Sequence, residues 1–261
     1  MKLISLNTWG GKYFEPLINF IKQHSKNSTI FCLQEIYNTT SNVKHYNGIQ
    51  ANLLAEIKKV LPDFQYFYFS ILSGFDDEAE PVDFSLSHGS AIFIKKNIPV
   101  DSHKDYFIYK DKSLNPLKKD FSNLATPLQY ISFHLNGKTF AIFNFHGTSF
   151  PADKLDSSNR LKAVKKVKKI IEGKFGAKIL VGDFNLLPHT QSIKIFEDNM
   201  KNLIKKFNIP KTRSRLSPFY GKSDFQKFAD YAFVSTDINV LEFRVPHIKI
   251  SDHLPMILEF S

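Results

Sequence analysis

The chain has 261 residues, 43% of them hydrophobic and 26 of them phenylalanine, which is ample material for a folded core and excludes a disordered chain. No run approaches the ~20 apolar residues of a membrane span, and Leu3–Leu6 behind Lys2 is too brief for a secretory signal, so a soluble, cytoplasmic, monomeric protein of one domain spanning 1–261 is expected. The single cysteine, Cys32, excludes an internal disulfide and a cysteine-built zinc site, and its apolar run Ile30–Leu33 reads as buried.

The segment Lys2–Leu6 reads as a buried strand, Phe14–His24 as a helix with apolar residues at 14, 17, 18 and 21, and Thr29–Leu33 as a second buried strand. Strand, helix and strand so close together make a βαβ unit with parallel strands. Ile49–Leu61 reads as a helix, Gln65–Ile71 as a strand, and the acidic stretch Asp76–Asp83 as an exposed loop. Ser90–Lys95, Tyr106–Tyr109, Gln129–Leu135 and Lys138–Phe145 read as strands, the last two joined by an Asn136-Gly137 hairpin turn. Ser157–Glu172 is a basic amphipathic helix with a serine cap, Lys178–Val181 a buried strand, and Thr190–Asn199 a short helix. Asp230–Ser235, Val240–Val245 and Pro255–Phe260 close the chain as strands. Early alternation followed by hairpins fits an α/β sandwich of mixed sheets with helices outside.

The polar residues gather at the ends of these strands. Asn7 closes the first, Glu35 follows the second, His146 follows the hairpin's second strand, and Asp183 and Asn185 follow Lys178–Val181. Asp230 and Asp252-His253 precede closing strands. Ligands in open α/β sheets bind beyond the carboxyl ends of strands, and an antiparallel strand begins where its neighbour ends, so these groups meet at one edge if the closing strands run antiparallel to the first. Asn7, Glu35 and Asp252 offer oxygen ligands suited to a hard cation such as Mg²⁺. Asp183, Asp230, His146 and His253 suit water activation and charge stabilisation on phosphorus. No nucleophile elbow and no Walker loop is present.

Asn7, Gln34-Glu35, Gly182-Asp-Phe-Asn185, the Asp230 strand and Ser251-Asp-His253 occur in the order of the endonuclease/exonuclease/phosphatase superfamily, which this chain resembles over positions 7 to 253. The resemblance implies a four-layer α/β sandwich, two mixed β-sheets face to face with helices outside, and a phosphoesterase using Mg²⁺ or Mn²⁺. It implies Glu35 as main metal ligand, with Asn7 nearby and Asp252 assisting. Asp183 and Asn185 would orient the attacking water and the phosphate. His253, held by Asp230, would act as base or transition-state stabiliser, and His146 would hydrogen-bond the scissile phosphate. Arg160 resembles an arginine that some members carry on the helix after the histidine loop. Several nucleases of the family have an acidic residue two positions after the strand-end Asn; here Trp9 stands there, which weakens a second metal subsite. Trp9, in the loop after Asn7, would stack on a base if exposed or else pack against neighbouring loops.

A net charge of +10 favours polyanionic partners, although a lysine-rich composition that keeps the protein soluble accounts for the same charge. The leading expectation is a phosphodiesterase or nuclease acting on nucleic acid or nucleotide-like esters, with the basic segment Lys201–Lys222, including Arg213, Arg215, Phe219 and Tyr220, as substrate-contacting loop. The alternatives are a phosphomonoesterase or lipid phosphodiesterase on the same scaffold, and a non-catalytic binding module.

Overall fold

The computed structural model describes residues 1–112 and 121–261. Strand β1 (Lys2–Asn7), helix α1 (Phe14–Ser25) and strand β2 (Ile30–Asn38) are followed by a small ribbon of β3 (His45–Tyr46) and β4 (Ile49–Gln50). Then come α2 (Leu53–Val60), β5 (Phe64–Ser73), β6 (Ser87–Lys95), β7 (Ser102–Tyr109), β8 (Thr126–Leu135) and β9 (Lys138–His146). The chain continues through α3 (Ser158–Glu172), β10 (Ala177–Asp183), α4 (Gln191–Glu197), β11 (Lys201–Asn202) and α5 (Leu203–Lys206), and ends with β12 (Asp230–Val234), β13 (Val240–Arg244) and β14 (Met256–Phe260).

Two six-stranded sheets form, ordered β13-β14-β1-β2-β6-β5 and β11-β12-β10-β9-β8-β7. Both have the same plan. Each holds one parallel pair at its centre, β1 with β2 and β9 with β10, joined by a helical crossover, and antiparallel strands on either side. This is the expected mixed-sheet α/β sandwich. Residue alternation along β1 and β2 shows how the layers divide. Leu3, Ile30 and Cys32 join the core shared with β8, β9 and β10, whereas Ile4, Leu6, Phe31 and Leu33 point the other way, onto Leu17 and Ile21 of α1 and Leu54 and Ile57 of α2. Burial pushes the Cys32 thiol far up, in keeping with an inert core cysteine.

A buried amide seam crosses the sandwich behind the strand ends. Gln34 Nε2 donates to Asn144 Oδ1 at 2.6 Å, and Asn144 Nδ2 donates to the Leu33 carbonyl and to Gln129 Oε1. Buried amides are mostly paired, and this pairing, which leaves Gln34 Oε1 without a partner, ties the two sheets together in register.

Three local expectations change. The helix expected over Ile49–Leu61 starts at Leu53, because Asn47 and Gly48, both at positive φ, turn β3 into β4 and place Ile49 and Gln50 in a strand. The Asn-Gly pair is itself a hairpin signal. The second strand does not stop at Leu33 but runs to Asn38. The acidic loop is not exposed throughout: Asp76 is buried, accepts from the backbone N–H groups of Glu78 and Glu80, and receives Asn47 Nδ2 at 2.9 Å. Among the described residues no helix is long and apolar enough to cross a membrane.

Candidate active site

The register of the strands brings the polar residues together. Asp183 pairs with His146 across the parallel β9–β10 ladder and with Asp230 across the antiparallel β10–β12 ladder. Asn7 Nδ2 donates to Asp183 Oδ2 at 3.0 Å, so the end of β1 meets the end of β10 across the sandwich. The turn before β14 lies against the same edge, where Ser251 Oγ donates to the Asn7 carbonyl at 2.7 Å and accepts from the His253 N–H.

Glu35 owes its position to a bulge. The β2–β6 register shifts between Leu33 and Ile36, and Glu35 sits in that shift at φ 56°. A bulge re-aims a side chain that a regular strand would send to the wrong face. Trp9, Lys154 and Asn185 also take positive φ values at the site. Non-glycine residues persist in that conformation only where their surroundings fix it, and such strain clusters at functional sites.

The resulting cluster is tight. Asn7 Nδ2 also donates to Glu35 Oε1 at 2.8 Å. His146 Nε2 lies 3.9 Å from Glu35 Oε1 and 3.8 Å from Asp183 Oδ2. His253 Nε2 lies 3.7 Å from Asp183 Oδ2, and its Nδ1 bonds Asp230 at 2.8 Å. Asn185 donates its backbone N–H to Asp183 Oδ1 and its Nδ2 to the Gly147 carbonyl. Arg213, on a segment bridged to His253, donates to His253 Nε2 and to Asp252 Oδ2, both at 2.6 Å. An arginine is only a donor, so His253 accepts at Nε2 and carries its proton on Nδ1, directed at Asp230.

The charges follow from these contacts. Burial, reinforced by Arg213, pushes the His253 pKa down to about 4, so the ring is neutral near pH 7. Burial likewise lowers His146. Burial opposes the charge of Asp183, yet His253, His146, Lys154 and Arg213 overcome it and hold its carboxyl down at about 2. Burial raises Glu35, Asp230 and Asp252, with Asp183 adding to each. The edge thus carries several carboxylates in a confined space.

Among the described residues two side-chain groups have the spacing of a metal site: Glu35, His146 and Asp183, and Asp183, Asp230 and His253, each with ligand atoms within 4.8 Å of one another. Oxygen donors beside a histidine, with a carboxylate raised by burial, fit a divalent cation that would offset the negative charge. Asn7, expected as an oxygen ligand, turns its amide nitrogen to the two carboxylates and uses Oδ1 to accept the Trp9 N–H. Asp252 has one oxygen committed to Arg213.

The cluster forms the floor of a pocket of about 580 Å³ whose walls include Trp9, Tyr37, Phe121, Phe219 and Phe225 and the carboxylates of Asp77, Asp153 and Asp224. The basic loop contributes Arg213, Ser217 and Phe219 to these walls. Arg160 is placed elsewhere. It is buried outside the pocket, where its guanidinium donates to Asp153 at 2.9 Å and to the Leu155, Thr148 and Pro151 carbonyls, bracing the loop after His146 rather than facing a substrate. Lys154, His88 and Tyr37 line the pocket without any motif in the sequence to announce them. Only the polar context of the Arg213 loop was legible, not its pairing with Asp252 and His253.

The sequence matches the model of the Endonuclease/Exonuclease/phosphatase family over residues 4–253. No curated protein sequence matches it. Similar solved structures include a Bacteroides thetaiotaomicron mannosyl-6-phosphatase, 18% identical with a TM-score of 0.69, covering 100% of this chain and 99% of that one. The human Nocturnin catalytic domain with bound sulfate is 17% identical with a TM-score of 0.66, covering 100% and 94%. A humanised TDP2 from D. rerio is 12% identical with a TM-score of 0.68, covering 100% and 98%. At these identities the likeness is one of fold.

Proposed function

Because the chain belongs to the endonuclease/exonuclease/phosphatase family and is a phosphoric ester hydrolase, we propose that it hydrolyses compact phosphate esters in this pocket with the help of Mg²⁺ or Mn²⁺. The observation that carries the substrate reading is the pocket wall. Among the described residues its lining holds two lysine or arginine side chains, Lys154 and Arg213, while Asp77 and Asp153 are paired with Lys12 and Arg160 and Asp224 adds a carboxylate; a nucleic-acid strand brings a negative charge about every 3.4 Å. One phosphate on a small alcohol matches that confined positive charge, and the aromatic walls offer faces to its carbon skeleton.

Glu35 and Asp183, with His146 beside them, would hold the cation. Bound there, it would neutralise phosphate charge and steady the leaving oxygen. Asp183, ionised and fixed by Asn7 and the Asn185 N–H, orients the attacking water and takes its proton. Asp230 sets the tautomer of His253, and Arg213 beside that ring supplies positive charge to the phosphate as it reacts. His146, neutral and at the pocket floor, offers a hydrogen bond to a phosphate oxygen.

The second reading is a nucleic-acid phosphodiesterase. It is favoured by Phe219 and Tyr220, 49% and 42% exposed, which are interleaved with Lys211, Arg215 and Lys222 on the loop beside the pocket. A panel of sugar phosphates, nucleoside monophosphates and supercoiled plasmid, each with Mg²⁺ or Mn²⁺, separates the two. Release of inorganic phosphate from small monoesters, with the plasmid intact, is the expected result. Efficient nicking with inert monoesters would establish the second reading instead.

A further inference from the structure

Lys154 has the properties of a built anion contact. The residue is 9% exposed and lines the pocket. Its ammonium feels the charges of Asp183, Asp230, Asp252 and Arg213, and His146 and His253 in turn feel Lys154. Yet among the described residues it has no hydrogen-bond acceptor and no carboxylate at salt-bridge distance. The other cation at the floor, Arg213, is committed to Asp252 and His253.

A lysine rarely stays buried without a partner, because desolvation opposes its charge. Here the backbone enforces it. Lys154 sits at φ 56°, its carbonyl accepts the Leu187 N–H at 2.9 Å, and Arg160 ties down Asp153 and Leu155 on either side. These three contacts fix the backbone that carries Lys154, and its side chain lines the same pocket as Asp183 and His146.

We propose that Lys154 Nζ binds a non-bridging oxygen of a terminal phosphate and makes the pocket selective for phosphate monoesters over diesters, an inference that rests on the compact-ester reading above. A monoester carries about −1.5 to −2 charge near pH 7, because its second pKa is about 6, whereas a diester carries one negative charge. Among the described residues of the lining Lys154 is the basic side chain without a carboxylate partner, Arg213 being paired with Asp252, so its charge is the one left to read the difference.

The test uses the whole protein with Mg²⁺, and its probes are inorganic phosphate, p-nitrophenyl phosphate and bis-p-nitrophenyl phosphate. Calorimetry on Lys154→Met is expected to show phosphate binding weakened about 10- to 100-fold, and Lys154→Arg to recover part of it. The monoester KM is expected to rise by a similar factor, with diester kcat/KM changing less than about threefold. Should Lys154→Met fail to fold, acetylation of the wild-type protein read by mass spectrometry replaces it: phosphate is expected to protect Lys154. Unchanged phosphate binding in a folded Lys154→Met, equal losses for monoester and diester, or no protection overturns the assignment. Lys154-dependent phosphate binding without monoester turnover would overturn the monoesterase reading alone, so the two failures are distinguishable.

Discussion

Asp183→Asn is expected to lower kcat about 10²- to 10⁴-fold while the protein stays folded with a modestly lower melting temperature. The substitution keeps the volume of a side chain that is 1% exposed and removes its charge. The loss in rate follows from the position of the carboxylate. Its pKa is held down at about 2, against the raised pKa values of Glu35, Asp230 and Asp252, and it lies 3.7 Å from His253 Nε2 and 3.8 Å from His146 Nε2. An amide in its place cannot take a proton from water. The loss of stability follows from the contacts that hold the carboxyl down at about 2, since an amide has one oxygen where Asn7 Nδ2 and the Asn185 N–H now meet two; relief of Glu35, Asp230 and Asp252, which burial and Asp183 together raise, offsets part of it. Removing one of several crowded negative charges relieves the rest. Steady-state kinetics and thermal melts on the same preparation read both halves. A variant that loses stability in step with activity would mean that Asp183 is structural.

Gly182→Ala, one residue away, is expected to do the opposite and to strike the fold. Gly182 lies at φ 138°, where a side chain is strained, and a Cβ there would stand 1.9 Å from the Phe145 carbonyl of the paired strand β9. Backbone cannot yield as the end of a flexible side chain does, so β9 and β10 must separate at the residues that carry His146 and Asp183. Strain and overpacking together are expected to cost about 2–6 kcal/mol. Urea unfolding checks this, and a variant as stable as the wild type would contradict the strand register given above. The glycine of the Gly-Asp-Phe-Asn motif is therefore there for the close approach of two strands, and the Asp for chemistry.

The sites of agreement and disagreement between sequence and structure have physical causes. His146, Asp183 and Asp230 were legible because each ends or begins a strand, Glu35 because it follows the apolar run Ile30–Leu33, although β2 runs on to Asn38, and His253 because it shortly precedes the last strand; the antiparallel course of β12 and β14 brings them to one edge. The sandwich was legible because apolar residues occupy both faces of its central strands. The bulge at Glu35 was not, because Leu-Gln-Glu-Ile reads as a strand that simply stops, and only pairing with β6 produces the shift. Nothing local distinguishes Lys154 from the other lysines; its burial comes from a loop folded over the cluster and braced by Arg160. Arg160 itself illustrates the limit of motif transfer. A buried arginine after a histidine loop has two uses, substrate contact and loop support, and the four acceptors around its guanidinium are those of the second. The acidic loop was misjudged for a similar reason, since Asp76 satisfies its own turn and so tolerates burial.

The central claim is that phosphate ester cleavage here depends on a divalent cation held at the Glu35–Asp183 edge. The most direct test is phosphate release by chelator-treated protein during a titration with Mg²⁺ or Mn²⁺, run in parallel on wild type and Glu35→Gln. The account predicts no turnover in chelator, recovery in the wild type as metal is added, and a metal requirement in Glu35→Gln raised at least about tenfold. Turnover that persists in chelator, or a Glu35→Gln variant with the metal dependence of the wild type, would contradict it.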